Sequence, residues 1–317
     1  MADAEVGDDV YAEDPTVNEL QQEFAARVGM EAALYVPSGT MANQLALRLL
    51  APPGSVVVAG ARQHVVIYEN GAGGRNAGVQ FHTVPDDDGV LEPAHVSWAL
   101  EAAQHHYPRV GLVCIENTHM PADGRPWSLD AVARVVEAAA GVPVYMDGAR
   151  LFNAEAATRI PAARYGAAVT ALMCCLSKGL AAPVGSLLAG AAELIAAARS
   201  ERQRLGGGMR QAGVIAAAGL VALRTMVDRL VDDHERARRL AEAVAERWPD
   251  AGFDPERVVT NMVIFGHPGP ERLLGHLASE GVLAGTIAPG VVRLVTHHDV
   301  DDDGVARACK ALASAPD

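Results

Sequence analysis

The sequence predicts an α/β fold with a mostly parallel central sheet, helices on both of its faces, and a small α+β domain near the C-terminus. Two observations lead to this prediction. In the first two thirds of the 317 residues, short apolar runs typical of buried strands alternate with segments of helical periodicity. After a long helical stretch, the order strand, helix, strand, helix follows. We therefore expect a large domain at residues 1–225 and a small domain at residues 226–317.

The composition argues against several classes of partner. Half of the residues are apolar and 21% are charged, which is typical of a folded globular protein. The formal net charge of −13 argues against nucleic-acid binding and against binding to an anionic membrane. The longest apolar run, residues 212–223, is shorter than the about 18–20 residues that a bilayer span requires. Because there is no C-x-x-C pair and no signal-like N-terminus, we expect a cytoplasmic protein without disulfides.

The large domain begins with a helix predicted over residues 16–28. Thr16 is the expected N-cap, Glu19 completes a capping box three residues later, and Gly29 ends the helix. A second helix is predicted over residues 40–51, before a Pro-Pro-Gly sequence. The other elements follow from the same alternation: strands 32–36, 55–59, 79–84, 111–116, 142–147, 168–176 and 185–189, and helices 93–106, 128–140 and 191–204.

The small domain is predicted to begin within a long helical stretch. This stretch covers residues 211–248, and a break is expected near residues 225–228. Beyond it the predicted elements are strand 259–265, helix 270–280, strand 291–296 and helix 300–313.

A lysine follows the buried strand within AVTALMCCLSKGLAAPVGSLLAG, residues 168–190. Lys178 stands where an apolar run opens into a turn rich in glycine and proline. Lysine is rarely buried without a function, and in an apolar site it loses its proton readily and can form a Schiff base. Taken alone, a lysine at the end of a strand more often reaches solvent and has no catalytic role.

An acidic and a basic residue follow the strand in VPVYMDGAR, residues 142–150. Asp147 ends the strand, so its carboxylate is expected in the crevice where ligands of open α/β sheets bind. There it could pair with a protonated ring nitrogen, as in pyridoxal phosphate. Arg150 offers a planar guanidinium to a carboxylate or phosphate. A surface Asp–Arg pair explains the same residues equally well.

The sequence YVPSGTMAN, residues 35–43, predicts a turn from a strand into a helix. The first N–H groups of a helix have no acceptor within it, so Gly39 and Thr40 could bind an anion with their backbone and hydroxyl donors. The more common alternative is that Ser38 or Thr40 only caps the helix.

Together these segments give, in chain order, a phosphate site, a carboxylate for a ring nitrogen and a Schiff-base lysine. On the basis of these segments, the chain resembles the low-specificity L-threonine aldolases. That family belongs to the β-eliminating lyases, a group of fold-type-I pyridoxal phosphate enzymes. The resemblance implies an aminotransferase-like fold. The matching segments are GDDVYAEDPTVNELQ (7–21), PSGTMAN (37–43), residues 61–71, IENTH (115–119), MDGARLFNA (146–154), CLSKGLAAPVGSLLAG (175–190), GGGMRQAG (206–213), DDH (232–234), TNMV (260–263) and VRLVTH (292–297).

The resemblance implies that pyridoxal 5′-phosphate is the cofactor. Lys178 would hold it as a Schiff base, Asp147 would bind its pyridine nitrogen, and His64 would stack on its ring. Arg210 would reach the phosphate from a neighbouring subunit, which implies a homo-oligomer, expected to be a homotetramer built as a dimer of dimers. The complete set implied for cofactor binding is Lys178, Asp147, Gly39, Thr40, His64, Arg150 and Arg210.

The resemblance also implies how an amino-acid substrate is bound. Arg150 and Arg293 would bind its carboxylate, and His119 would lie near its β-hydroxyl group. Glu69 matches an acidic position of the family near the same pocket. The implied catalytic residues are Lys178, His64, His119 and Glu69, and no metal ion is expected.

Two departures from the family pattern affect these expectations. Relatives carry an amino-terminal segment that supplies a serine to the carboxylate site, and Met1 corresponds to a position just after it. We therefore expect substrate binding to be weaker without that segment. Many relatives have a lysine where this chain has Gln203, between Arg202 and Arg204, so charge pairing between subunits is expected to differ.

The expected reaction is cleavage of L-threonine or L-allo-threonine to glycine and an aldehyde. The base must lie within hydrogen-bond reach of the β-hydroxyl group, directly or through one water. The sequence leaves His64 and His119 open as candidates, with Glu69 in support. Two alternative functions also remain open: another pyridoxal phosphate reaction such as β-elimination, and a weakly active cofactor-binding protein.

Overall fold

The computed structural model describes residues 1–316 and contains a seven-stranded sheet. Its strands are β1 (Ala32–Val36), β2 (Val56–Gly60), β3 (Gln80–Val84), β4 (Val110–Glu116), β5 (Val144–Asp147), β6 (Ala171–Cys175) and β7 (Ser186–Gly190). They lie in the order β1-β7-β6-β5-β4-β2-β3. Strand β7 runs antiparallel to both of its neighbours, whereas β2 to β6 pair in parallel. The predicted, mostly parallel sheet is confirmed.

Helices pack on both faces of this sheet. They are α1 (Pro15–Val28), α2 (Gly39–Leu50), α3 (His64–Ile67), α4 (Pro93–Ala102), α5 (Leu129–Ala138), α6 (Leu151–Thr158), α7 (Ala162–Gly166), α8 (Ala192–Arg204) and α9 (Gly213–Val221), with a 3₁₀ turn at Asp9–Tyr11 and π-helical turns at Gly73–Ala77 and Ala222–Met226. Successive side chains of a strand point to opposite faces. Accordingly, Met146 of β5 packs in the core with α1, α5 and α9, whereas Tyr145 packs in the core with α2 and α8.

A second, three-stranded sheet forms most of the C-terminal part. Its strands β8 (Met262–Gly266), β9 (Gly285–Ala288) and β10 (Val291–Val295) lie in the order β8-β10-β9 and are antiparallel. Around it are α10 (Leu230–Arg247), α11 (Pro270–Ser279) and α12 (Asp302–Ala313), with 3₁₀ turns at Pro249–Ala251 and Pro255–Arg257. This sheet has a core of its own, beginning at Ala237. We propose to keep the domain division at residue 225, which lies in the π-helical turn before α10.

The predicted N-cap of the first helix is wrong. Asp14 caps α1, because its Oδ1 accepts a hydrogen bond from the Val17 N–H at 3.0 Å, and Pro15 occupies the first helical position. The Thr16 hydroxyl instead donates to the Glu5 carbonyl at 2.6 Å. Proline suits the first helical position since its missing N–H would have no acceptor there. Gly29 ends the helix in the left-handed conformation, as predicted.

Several element ends differ from the prediction. The predicted helix 93–106 ends at Ala102, and the predicted strand 168–176 covers only Ala171–Cys175. The short helices α3, α6 and α7 and strand β9 were not predicted, because segments of four to eight residues carry too little periodicity. The long helical stretch is interrupted between Met226 and Leu230, close to the predicted break. Within residues 1–316, the apolar stretches of the helices are too short for a transmembrane span.

Candidate active site

Two adjoining cavities lie at the carboxyl ends of β5 and β6, and Ser177 and Lys178 line both of them. The smaller cavity, of about 230 Å³, is also lined by Asp147 and by the first turn of α2. The larger cavity, of about 440 Å³, is lined by Arg150 and, from the three-stranded sheet, by Val295. Ligands of open α/β sheets bind at this edge. Part of the predicted set therefore lies where the fold favours a ligand, namely Gly39, Thr40, His64, Asp147, Arg150 and Lys178.

The first turn of α2 is capped by Ser38. Its hydroxyl accepts a hydrogen bond from the Met41 N–H at 3.2 Å, and Thr40 lies within the helix. Of the two capping residues considered from the sequence, Ser38 is therefore the cap. The N–H groups of Gly39 and Thr40 have no intrahelical acceptor and are free to bind an anion.

Gly39 lets this helix end approach the sheet closely. A β-carbon at this position would lie 2.8 Å from Cys175 Sγ and 2.9 Å from Met173 Cε, shorter than any normal contact. Both of those side chains come from β6 and line the smaller cavity. A larger residue would require these two side chains or the helix to shift, so glycine permits the present position of the anion-binding N–H groups.

The Asp147 carboxylate is buried at the end of β5 and receives two hydrogen bonds. Its Oδ1 accepts from the Ala149 N–H at 3.0 Å, and its Oδ2 accepts from the Asn43 side-chain amide at 2.8 Å. These two donors fix the orientation of the carboxylate on the wall of the smaller cavity, as its proposed pairing with a ring nitrogen requires.

A second buried carboxylate, Glu69, lies on the other side of Asn43. Its Oε1 accepts from the Asn43 Nδ2 at 2.7 Å, and its Oε2 accepts from the Gln44 Nε2 at 2.6 Å. The same Oε1 lies 3.1 Å from Nδ1 of His64, whose ring lines the smaller cavity. Glu69 therefore positions His64 but does not itself line the cavity.

The hydrogen bond to Glu69 raises the pKa of His64 above its ordinary value, against the lowering effect of burial. The Asp147 carboxylate raises this pKa further, and the Lys178 ammonium lowers it. The backbone N–H of His64 is held by Glu116 Oε2 at 2.6 Å, which fixes the start of α3. His64 therefore has both its backbone and its ring fixed by carboxylates.

In the Glu69→Gln variant we expect the pKa of His64 to fall. An amide carries no charge, so its attraction for the imidazolium is lost while burial still favours the neutral ring. The imidazole should then become neutral at lower pH than in the unmodified protein, as followed by NMR titration. Glu101→Gln, at an exposed position on α4, is the control and should leave the titration of His64 unchanged. An unchanged His64 pKa in Glu69→Gln would contradict the role of Glu69.

The side-chain amine of Lys178 has no hydrogen bond or ion pair within residues 1–316, and the residue lines both cavities. Strand β6 ends at Cys175, and the turn that follows brings the lysine to the carboxyl edge of the sheet. Its half-buried side chain faces the His64 imidazole closely enough to lower the pKa of that ring. An amine without a partner, open to two cavities, is available to react.

Two guanidinium groups from different parts of the fold act on each other, and Arg150 lines the larger cavity whereas Arg293 lines neither. Arg150 follows β5, and Arg293 lies on β10. Burial and the positive charge of Arg293 lower the pKa of Arg150 below its ordinary value. The buried Arg150 Nε has no hydrogen-bond partner in the described part of the chain. Two neighbouring cations with unused donors favour an anionic ligand, as predicted for a substrate carboxylate.

His119 lines neither cavity. Its side chain is fully buried, and its Nε2 lies 2.8 Å from Asp86 Oδ2. Burial raises the pKa of Asp86, but the hydrogen bond to His119 and the contacts from Arg62 bring it below its ordinary value. The structure thus pairs His119 with a carboxylate and does not bring it to the cavity wall with His64.

Arg210 also lies away from the cavities of its own chain. Its guanidinium is exposed, pairs with Asp8 at 3.0 Å and lies over the ring of Tyr11. The neighbouring helix α8 contributes a different pair, since the buried Arg202 binds Asp9 at 2.6 Å. Arg202 thus has a partner within its own chain, and the role of Arg210 towards a neighbouring subunit stays a prediction.

The sequence profile of the beta-eliminating lyase family matches residues 1–266. This match covers both the smaller cavity and the Lys178 turn. The chain belongs to the beta-eliminating lyase family.

Curated relatives of this beta-eliminating lyase match over nearly their full lengths. It is 38% identical to the low-specificity L-threonine aldolase 1 of Arabidopsis thaliana, over 96% of this chain and 88% of that protein. It is 36% identical to the low specificity L-threonine aldolase of Escherichia coli strain K12, over 96% of this chain and 91% of that one. A solved threonine aldolase of Leishmania major has the same fold, with a TM-score of 0.80 at 20% identity, covering 95% of this chain and 90% of that one. The predicted fold-type-I architecture is therefore confirmed.

The donors in the smaller cavity of this lyase fit pyridoxal 5′-phosphate. The α2 N-terminus suits its phosphate, the buried Asp147 suits a protonated ring nitrogen, and the unpaired Lys178 amine suits its aldehyde.

Sequence reasoning missed several residues that shape this lyase's site. The clearest is Asn43, which was part of the matched segment PSGTMAN but received no role. The available signal was its spacing, four residues after Gly39 and therefore on the same helix face. Tyr145, Asp86 and Glu116 were missed because their contacts join segments distant in sequence.

Proposed function

We propose that this protein uses pyridoxal 5′-phosphate to cleave L-threonine, L-allo-threonine and related β-hydroxy-α-amino acids into glycine and an aldehyde. The observation that carries the proposal is the convergence of Lys178, Asp147 and the α2 N-terminus on one cavity, next to the cavity of Arg150. Relatives named low-specificity L-threonine aldolases, at 36–38% identity over nearly the whole chain, support it.

The residues that hold the cofactor are Lys178, Asp147, Gly39, Thr40 and His64, with Arg150 close to them and Arg210 supplied by a neighbouring subunit. When bound, the cofactor supplies an electron sink for the pair released as the Cα–Cβ bond breaks. Asp147, whose carboxylate is oriented by two hydrogen-bond donors, would keep the ring nitrogen protonated. His64, fixed by Glu69, covers the ring.

Arg150 and Arg293 bind the substrate carboxylate. A carboxylate between the two guanidinium groups relieves their mutual repulsion and occupies the unused Nε donor of Arg150. This contact orients the amino acid with its amine towards Lys178, which lines the same cavity. The side chain with the β-hydroxyl group is then left beside the His64 wall.

His64 is the proposed base for the β-hydroxyl proton. Its Nδ1 faces Glu69, so Nε2 is the ring nitrogen left to accept a proton. The alternative, His119, has its Nε2 bound to Asp86 and lines neither cavity. Glu69 stabilises the imidazolium that forms, in the same way that a carboxylate supports a catalytic histidine in other enzymes.

A product assay with two substrates tests the proposed function. With L-threonine, glycine and acetaldehyde should form in equal amounts. With β-chloro-L-alanine, formation of pyruvate would indicate β-elimination, the alternative reaction. We expect pyruvate to form much more slowly than threonine is cleaved. Release of 2-oxobutanoate from threonine, without glycine, would contradict the proposal. A protein that binds the cofactor but cleaves neither substrate would favour the cofactor-binding alternative.

The proposed assembly is a homotetramer in a reducing, cytoplasmic compartment. Arg210 is exposed and lines neither cavity of its own chain, which supports a role across an interface. The four cysteines are free, and three of them are buried. Sedimentation of the cofactor-loaded protein should give four times the subunit mass, and an active monomer would contradict the assembly.

A further inference from the structure

The side-chain amide of Asn43 uses every polar atom it has on buried partners. Its Nδ2 donates to Asp147 Oδ2 at 2.8 Å and to Glu69 Oε1 at 2.7 Å. Its Oδ1 accepts from the Tyr145 hydroxyl at 2.7 Å. Asn43 is 1% exposed, and all three partners are also buried. One amide thus joins the carboxylate proposed for the ring nitrogen to the carboxylate that holds His64.

The position of this amide follows from helix α2. Asn43 is four residues after Gly39, so both lie on the helix face that points at the sheet. Gly39 places that face close to β6, and the same approach brings the Asn43 amide to the end of β5. The phosphate-binding turn and the amide are therefore parts of one rigid element.

Two buried carboxylates that share a donor repel each other. The hydrogen bonds from the amide offset part of this repulsion and fix the two carboxylates relative to each other. The orientation of the amide is also determined. Burial raises the pKa of Tyr145 well above its ordinary range, so the phenol remains a donor and keeps the amide oxygen on its side. The amide nitrogen must then face the two carboxylates.

We propose that Asn43 is a positioning residue that holds Asp147 towards the ring nitrogen of the cofactor and, through Glu69, holds His64 over the ring. This inference rests on the proposed function, because it concerns the binding of pyridoxal 5′-phosphate. Asn43 acts through Asp147 and Glu69 rather than by touching the substrate. Its loss should therefore change cofactor binding and the cofactor's visible absorption, which a loss of packing elsewhere would leave unchanged.

The decisive comparison is between Asn43→Leu and Gln44→Leu. Both residues are buried neighbours on α2 and both donate to Glu69, but only Asn43 donates to Asp147. Titration of the apoprotein with pyridoxal 5′-phosphate should show affinity weakened roughly ten- to a hundredfold in Asn43→Leu, with an altered absorption maximum, since a hydrogen bond to a charged group is lost. Gln44→Leu removes a donor to Glu69 but none to Asp147, so it should weaken binding by only roughly three- to tenfold and leave the absorption maximum unchanged.

The Tyr145→Phe variant covers the case in which Asn43→Leu fails to fold. It removes only the hydroxyl that orients the amide and should weaken cofactor binding by roughly three- to tenfold. The inference is overturned if Asn43→Leu or Tyr145→Phe binds the cofactor with unchanged affinity and spectrum, or if Asn43→Leu and Gln44→Leu lose affinity equally. If the unmodified protein binds no pyridoxal 5′-phosphate, the proposed function itself is overturned.

Discussion

The Lys178→Ala variant should show no measurable turnover, and borohydride should no longer fix the cofactor to the protein. The amine of Lys178 lines both cavities and has no other partner within residues 1–316. A lysine amine at this position can form a Schiff base with the cofactor, which borohydride reduces to a stable bond. Alanine leaves no nucleophile there. The measurements are threonine cleavage and the absorbance of the denatured, reduced protein.

The low lysine content of the chain provides a control for this substitution. The chain contains only two lysines among its 317 residues, and the second, Lys310, is exposed on α12. Lys310→Ala should retain full turnover and full fixation of the cofactor. Mass spectrometry of the reduced protein should find the cofactor on the peptide that contains Lys178. Cofactor found on Lys310, or normal turnover by Lys178→Ala, would remove the basis of the proposed mechanism.

The Asp147→Asn variant is expected to lose two to three and a half orders of magnitude in kcat/KM. Removing one partner of a buried ion pair costs about 3–5 kcal/mol, and each 1.4 kcal/mol is a factor of ten. Asparagine has nearly the same shape but only one side-chain oxygen, so the change removes the charge and leaves an acceptor for only one of the two donors, the Ala149 N–H or the Asn43 amide. Steady-state kinetics with L-threonine, together with cofactor titration, would measure the loss.

Asp130→Asn is the matched control for this substitution. Asp130 lies on α5 with a side chain 79% exposed, so the same change of charge should leave kcat/KM within about twofold. If Asp147→Asn retained more than a tenth of the activity, Asp147 would not be the partner of a ring-nitrogen cation.

The parts of the fold and site that depend on local order were predictable from the sequence. Asp147 and Lys178 each follow a buried apolar run, and parallel strands bring such ends to one edge, so their proximity could be predicted. The N-cap was missed at Asp14 because Thr16 with Glu19 is an equally good local pattern. Only the contact of the Thr16 hydroxyl with a distant carbonyl distinguishes the two.

The connections between distant segments were not predictable in this way. Asn43 contacts Glu69 and Asp147, which are 26 and 104 residues away in sequence. The pairing of His119 with Asp86 likewise depends on how two loops pack after the sheet has formed. A single sequence carries no periodic signal for such contacts. Resemblance to a family could assign roles to matching positions, but it did not reveal which side chains bind each other.

Arg150 follows a strand of the large sheet, whereas Arg293 belongs to the small one. A carboxylate bound by both arginines would therefore link two parts of the protein that have separate hydrophobic cores. The free energy of binding this carboxylate would also stabilise the contact between those two parts. By mass action, any α-amino acid at saturating concentration shifts the equilibrium towards the docked arrangement. Glycine keeps the same carboxylate after the aldehyde has left. In the proposed mechanism the product leaves from the same two cations that bind the substrate, so we expect its release to break this link between the two sheets.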